Sequence, residues 1–130
     1  MSPIADMIAR IKNAVARKKK EVSVPHSRIK QSVLDALVRA GYIKDYVIDD
    51  ADAVKKSMTV GLKYYDQGRS VISSLVPVSK PSRHVYTSLC ALRQRTPYMG
   101  VQVVSTSAGV LLSDEAVVEG VGGKVLLEVK

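Results

Sequence analysis

Three hydroxyls in a row, Ser105-Thr106-Ser107, stand between a β-branched run and Gly109. A serine in such a loop becomes a nucleophile when a histidine takes its proton and a third group orients the ring. The chain holds two histidines, His26 and His84, and no spacing in the sequence supports that triad. The stretch 105–109, STSAG, is not a nucleophile elbow, which carries glycine two residues on either side of its serine. Gly120-Val121-Gly122-Gly123 fits neither the dinucleotide nor the P-loop pattern. One cysteine, Cys90, and two distant histidines supply a metal site poorly, and Cys90 reads as a small packing residue. No enzyme, cofactor or small-molecule substrate is therefore expected.

Binding of a polyanion suits the same residues better. Lys and Arg number 20 against 12 Asp and Glu, a net charge of +8 on 130 residues. The cations are clustered: Arg17 to Lys20, Arg28 with Lys30, Lys55-Lys56, and Lys80 with Arg83. Such clusters grip phosphates, although any one of them also reads as a solvated face. The hydroxyls add another kind of contact. Ser and Thr both donate and accept, and are small enough to approach the 2′-hydroxyl-lined minor groove of structured RNA. They serve equally to close a turn. Tyr86, after Lys80 and Arg83, offers a ring for base stacking or is a half-buried strand tyrosine. A single cysteine excludes an internal disulfide, and no apolar run is long enough to span a membrane.

These residues need elements to hold them. Ser2-Pro3 is a helix start, and Ile4, Met7, Ile8, Ile11 and Val15 share one helical face that ends near the basic run 17–20. A short strand follows at 21–24 and stops at Pro25. Ser27 caps a second helix with a stripe of Ile29, Val33, Leu34, Leu37 and Val38, closed by Gly41. Strands are expected at 42–48, 57–65 and 70–76, with turns at Asp49-Asp50-Ala51-Asp52 and Asp66-Gln67-Gly68. Beyond Lys80-Pro81-Ser82-Arg83, short strands are expected at 84–87, 101–104 and 110–112. A helix capped by Ser113 and a strand over 124–130 complete the chain. The fold class is α+β in two small lobes. Residues 1–76 form an αβαβββ lobe, and residues 77–130 form a mostly β lobe with one short helix.

Several segments together resemble a known family. Val103-Val104-Ser105-Thr106-Ser107-Ala108-Gly109-Val110, then Glu115-Ala116, then Gly120-Val121-Gly122-Gly123 resemble the C-terminal signature of small ribosomal subunit protein eight. Pro3-Ile4-Ala5-Asp6-Met7 with Arg10-Ile11-Lys12-Asn13-Ala14, Gly41-Tyr42-Ile43, and Val78-Ser79-Lys80-Pro81 with Tyr86 are similar to the same family in the same order.

The resemblance implies a structural, cytoplasmic or organellar small-subunit protein. It would bind a central-domain helix of the small-subunit rRNA, help form the platform, and neighbour proteins five and twelve. It also implies, as an alternative, a translational repressor that binds an mRNA mimic of the rRNA site. By matched position, Ser105, Thr106 and Ser107 would enter the minor groove, and Gly122 and Gly123 would allow close approach. Ser79, Lys80, Pro81 and Tyr86 would form a second contact region, and Lys30 would meet phosphate. Ser82, Arg83, Lys55 and Lys56 join the candidate RNA contacts as neighbouring polar and basic residues. Ala108, Val117, Val118, Lys124 and Tyr98 depart from the family pattern. The first three stand where cations are usual, whereas Lys124 stands where Glu is usual and so restores a cation beside the loop.

Overall fold

The computed structural model describes residues 3–51 and 54–130. Ser2 and Asp52, expected as a helix cap and a turn residue, lie outside them. The chain divides into two compact units, one of Asp6–Ile72 and one of Ser73–Lys130 together with the start of the chain up to Ala5. The α+β class holds, with helices and antiparallel sheets in both regions. No described helix is long and apolar enough to cross a membrane.

In the unit of Asp6–Ile72, α1 (Pro3–Ala16) buries Met7, Ile8, Ile11 and Ala14, an i, i+3, i+4 stripe. It closes in a Schellman arrangement: Lys19 N–H donates to Ala14 O and Lys18 N–H to Val15 O. The left-handed position, usually glycine, falls on Lys18 at φ 54°. The second helix, α2 (Arg28–Arg39), starts as expected, with Ser27 Oγ accepting from Lys30 N–H at 3.2 Å. Gly41, at φ 83°, follows its end. Its buried face differs from the expected stripe. Lys30 and Ala36 are buried, whereas Ile29 is 37% exposed.

These helices accompany a three-stranded antiparallel sheet in the order β1 (Glu21–Pro25), β3 (Ser57–Leu62), β2 (Ile43–Asp49). Alternation along β3 buries Met58, Val60 and Leu62. The expected third strand at 70–76 is corrected. Only an isolated bridge joins Ser70 to Tyr64, and β4 (Leu75–Pro77) pairs with the final strand of the other unit. Two serines break the run: the backbone N–H groups of Ser73 and Ser74 both donate to Lys130 O, which draws the chain to the other sheet.

In the unit of Ser73–Lys130, β8 (Gly123–Val129) is central. The sheet runs β4-β8-β6 (Val101–Thr106)-β7 (Gly109–Leu112), and β5 (Tyr86–Thr87) also pairs with β8. Thus β4 and β5 share one edge of β8 on either side of an excursion over 78–85. Two short helices occur where one was expected. The missed one, α3 (Leu89–Arg93), is capped by Ser88 and buries only Leu92, too few apolar positions to show a period. In α4 (Ser113–Glu119) the N-cap is Leu112, not Ser113. Ser113 is the first helical residue, and its Oγ accepts from Gln102 N–H, while Glu115 Oε1 accepts from Leu112 N–H at 2.9 Å. Leu92, Val104 and Ala116 form a buried cluster that joins both helices to β6.

Candidate nucleic-acid interface

The three hydroxyls are not a free loop. Ser105 and Thr106 end β6, Gly109 opens β7, and only Ser107 and Ala108 lie in the turn. Thr106 is spent on that turn: its Oγ1 donates to Gly109 O at 2.7 Å and accepts from Ala108 N–H at 3.1 Å. The two functions weighed for the segment therefore fall on different residues. Thr106 closes the hairpin, Ser107 stands exposed at its tip, and Ser105 is half-buried on the sheet.

Sheet register brings distant residues to Ser105. Lys124 is paired with Ser105 on one side and with Tyr86 on the other, and Ser105 is paired with Val110. Directly opposed residues of antiparallel strands project to the same face. Tyr86, Lys124, Ser105 and Val110 thus form one row. The next residues along, Val104 and Val125, are buried, Val104 in the cluster with Leu92 and Ala116, so the row lies on the face away from those helices. Tyr86 is 69% exposed, and its ring centroid lies 6.5 Å from that of His84. In the sequence His84 is weighed only as a base for a serine nucleophile, not as a ring beside Tyr86. Its position two residues before Tyr86 on an extended segment was the signal.

The 78–85 excursion ends in a tight tip, where Lys80 and Arg83 exchange backbone hydrogen bonds of 2.9 and 3.0 Å around Pro81 and Ser82. All four are exposed. Ser79 braces this tip from inside: its Oγ donates to Val125 O at 2.5 Å and accepts from Val85 N–H at 3.0 Å. Ser79, Lys80, Pro81, Lys124, Leu126 and Ile4 line a cleft of about 130 Å³, which joins the tip to the row.

The glycines serve the protein's own packing. A Cβ on Gly123 would lie 2.2 Å from Ser105 O, and one on Gly122 would lie 2.4 Å from Thr87 O. Backbone alone fits where β8 meets β6 and the chain after β5. The close approach the sequence assigned to RNA is at least the approach of three protein segments.

The remaining candidates lie in the unit of Asp6–Ile72. Lys30 is 6% exposed, and its Nζ donates to Pro25 O at 3.4 Å. Lys55 and Lys56 are exposed and share a cleft of about 570 Å³ with Arg10 and His26, a grouping no spacing in the sequence could reveal. His26 Nε2 lies 2.9 Å from Gln31 Oε1. Among the described residues no group of His, Cys, Asp and Glu is arranged to hold a metal.

What the row and tip can do chemically is bind. They present an aromatic face, cations at Lys80, Arg83 and Lys124, and hydroxyls at Ser105 and Ser107. The sequence profile of the family described as "Ribosomal protein S8" matches residues 2–129. The chain is 41% identical over 127 residues to the "Small ribosomal subunit protein uS8" of Mesorhizobium japonicum, covering 98% of this chain and 96% of that one. It is 40% identical, with the same coverage, to the proteins of that name from Brucella ovis and Rhizobium leguminosarum bv. trifolii. A match of this extent, with relatives that align over nearly their full length, makes the chain a member of the ribosomal protein S8 family.

Proposed function

We propose that the protein is a structural component of the small ribosomal subunit that binds rRNA through the end of its C-terminal sheet. The observation that carries this reading is the register that sets Tyr86, Lys124 and Ser105 in one row. Base stacking, phosphate attraction and hydroxyl contact are the three interactions that structured RNA offers a protein. Here they occupy adjacent strands and one turn. Lys80 and Arg83 extend the cationic surface at the tip, with Pro81 and Ser82 between them. Ser107 and Ser105 hold the hydroxyls nearest the groove. Thr106, Ser79, Gly122 and Gly123 act one step back by fixing the turn and the strand spacing.

The target is a helix of the central domain of the small-subunit rRNA, bound early enough to order the platform around it. Other small-subunit proteins, including proteins five and twelve, would be the neighbours there. That the bacterial relatives are small ribosomal subunit proteins supports a place in that subunit. In the Asp6–Ile72 unit, Lys55 and Lys56 supply sequence-independent phosphate attraction. Lys30 contributes by holding Pro25 and the end of β1, and it would meet phosphate directly only on leaving Pro25 O.

Filter binding tests the reading. A central-domain fragment should bind tighter than a random duplex by about 4 kcal/mol or more at physiological salt. Equal affinity for the two RNAs would overturn it.

A further inference from the structure

The β1-β3-β2 sheet has two edges, and the sequence treats them differently. The β1 edge is guarded. It ends in Pro25, which has no N–H to offer, and Arg10 Nη1 donates to Ser23 O at 3.3 Å. Along β2, no strand among the described residues pairs with the outer side. An open ladder of this kind is a template for an added strand. Its apolar side chains are also uncovered: Val47 is 65% exposed and Ile48 36%.

Charge distinguishes the possible occupants. Register places Asp45, Val47 and Asp49 opposite Gly61, Thr59 and Ser57, which are in turn opposite Glu21, Ser23 and Pro25. These nine residues form the outer face of the sheet, with three carboxylates and no cation. Asp50 follows, exposed, and Lys44 is the single cation of β2. Ser23, Pro25 and Ser57 share a cleft with Arg10, Lys55 and Lys56, but at the β2 edge the carboxylates of Asp45, Asp49 and Asp50 outnumber Lys44 and disfavour phosphate.

We propose that the outer edge of β2 accepts a cationic, extended segment of another protein as an added strand. Backbone hydrogen bonds would supply register. Alternate Lys or Arg side chains would meet Asp45 and Asp49 on the outer face, their methylene stems over Val47, and the intervening apolar ones would cover Ile48 on the other face.

The test uses the full-length protein and a fluorescent ten-residue peptide of alternating lysine and valine. The control has equal charge, with two valines replaced by proline so that the ladder is interrupted. The expected result is that amide shifts on adding the first peptide concentrate at residues 44–50. Binding should weaken about tenfold with the proline peptide, and similarly for the Asp45→Asn/Asp49→Asn/Asp50→Asn and Val47→Lys variants. Val47 is exposed enough that its variant should keep the wild-type circular dichroism and unfolding temperature. Equal binding of the proline peptide would reduce the effect to charge adsorption and overturn the proposal. So would shifts outside β2, shifts of the same amides with duplex RNA, or sedimentation of the free protein as a dimer paired through this edge.

Discussion

The two sheets solve the same packing problem and leave opposite surfaces. The β1-β3-β2 sheet buries Met58, Val60 and Leu62 on one face, whereas the C-terminal sheet buries Val104 against Leu92 and Ala116 on one face and, further along, Val103 and Leu127 on the other. Beyond that, the row Tyr86-Lys124-Ser105 carries an exposed ring, a cation and a hydroxyl, whereas the outer face of β1-β3-β2 carries Glu21, Asp45 and Asp49. Overall charge therefore describes neither surface. A value of +8 favours a polyanion partner, and only the register distinguishes the strands fit to meet one. The contrast also divides labour among like residues. Ser79 and Thr106 spend their hydroxyls on backbone and so hold the C-terminal surface in shape, while Ser107 is exposed at the hairpin tip.

The comparison breaks most severely at Gly123. A Cβ there collides with Ser105 O, and backbone cannot yield as a flexible side chain does. Gly123→Ala should destabilise the protein by about 3 kcal/mol, the upper end of overpacking costs. Thermal unfolding followed by circular dichroism would show it, and specific RNA binding should fall with it.

Next is the row itself. Tyr86→Ala should cost about 2 kcal/mol of RNA affinity through lost stacking, with the unfolding temperature nearly unchanged because the ring is exposed. Lys124→Gln should lower the slope of log affinity against log salt by about one. If the β2 face were the RNA surface, neither change would matter.

The hydroxyls sharpen the division further. Thr106→Val should lose about 1 kcal/mol of stability, because it removes both turn bonds, whereas Ser107→Ala should leave stability unaltered and weaken binding. Equal effects of the two on unfolding would erase the distinction.

The smallest effect belongs to the other unit. A hydrogen bond to the Asp35 carboxylate, and then burial, raise the Tyr46 pKa above 10.0. Burial also raises those of Tyr42, with a contribution from Tyr65, and Tyr64. A raised folded-state pKa means that the stabilisation is complete below about pH 10 and is lost as pH climbs through the folded value. Unfolding temperature should thus fall across that alkaline range, and Tyr46→Phe should flatten part of the fall. A slope unchanged by this substitution would remove Tyr46 from the account.

Much of this was legible in the sequence. The α1 stripe, the Val33, Leu34 and Leu37 part of the α2 stripe, the Ser27 cap and the β3 alternation all rest on local pattern, which near neighbours decide. What stayed hidden depends on distant chain. Ser79 bonds a carbonyl 46 residues away, so its type could not reveal that its hydroxyl is internal. Lys30 shares the buried helix face of Val33, Leu34 and Leu37, a place a lysine ordinarily avoids, and its Nζ finds a partner there in Pro25 O. The strand expected at 70–76 changes sheets because Lys130 O receives the N–H groups of Ser73 and Ser74. The five residues of α3 bury one leucine and so leave no periodic trace.

The central claim is that RNA meets the end of the C-terminal sheet, and amide shifts of the labelled protein titrated with a central-domain rRNA helix test it most directly. The account predicts shifts gathered at residues 80–87, 105–109 and 122–124, with β2 silent. Shifts concentrated along residues 43–49, or a random duplex shifting the same C-terminal amides to the same extent, would contradict it.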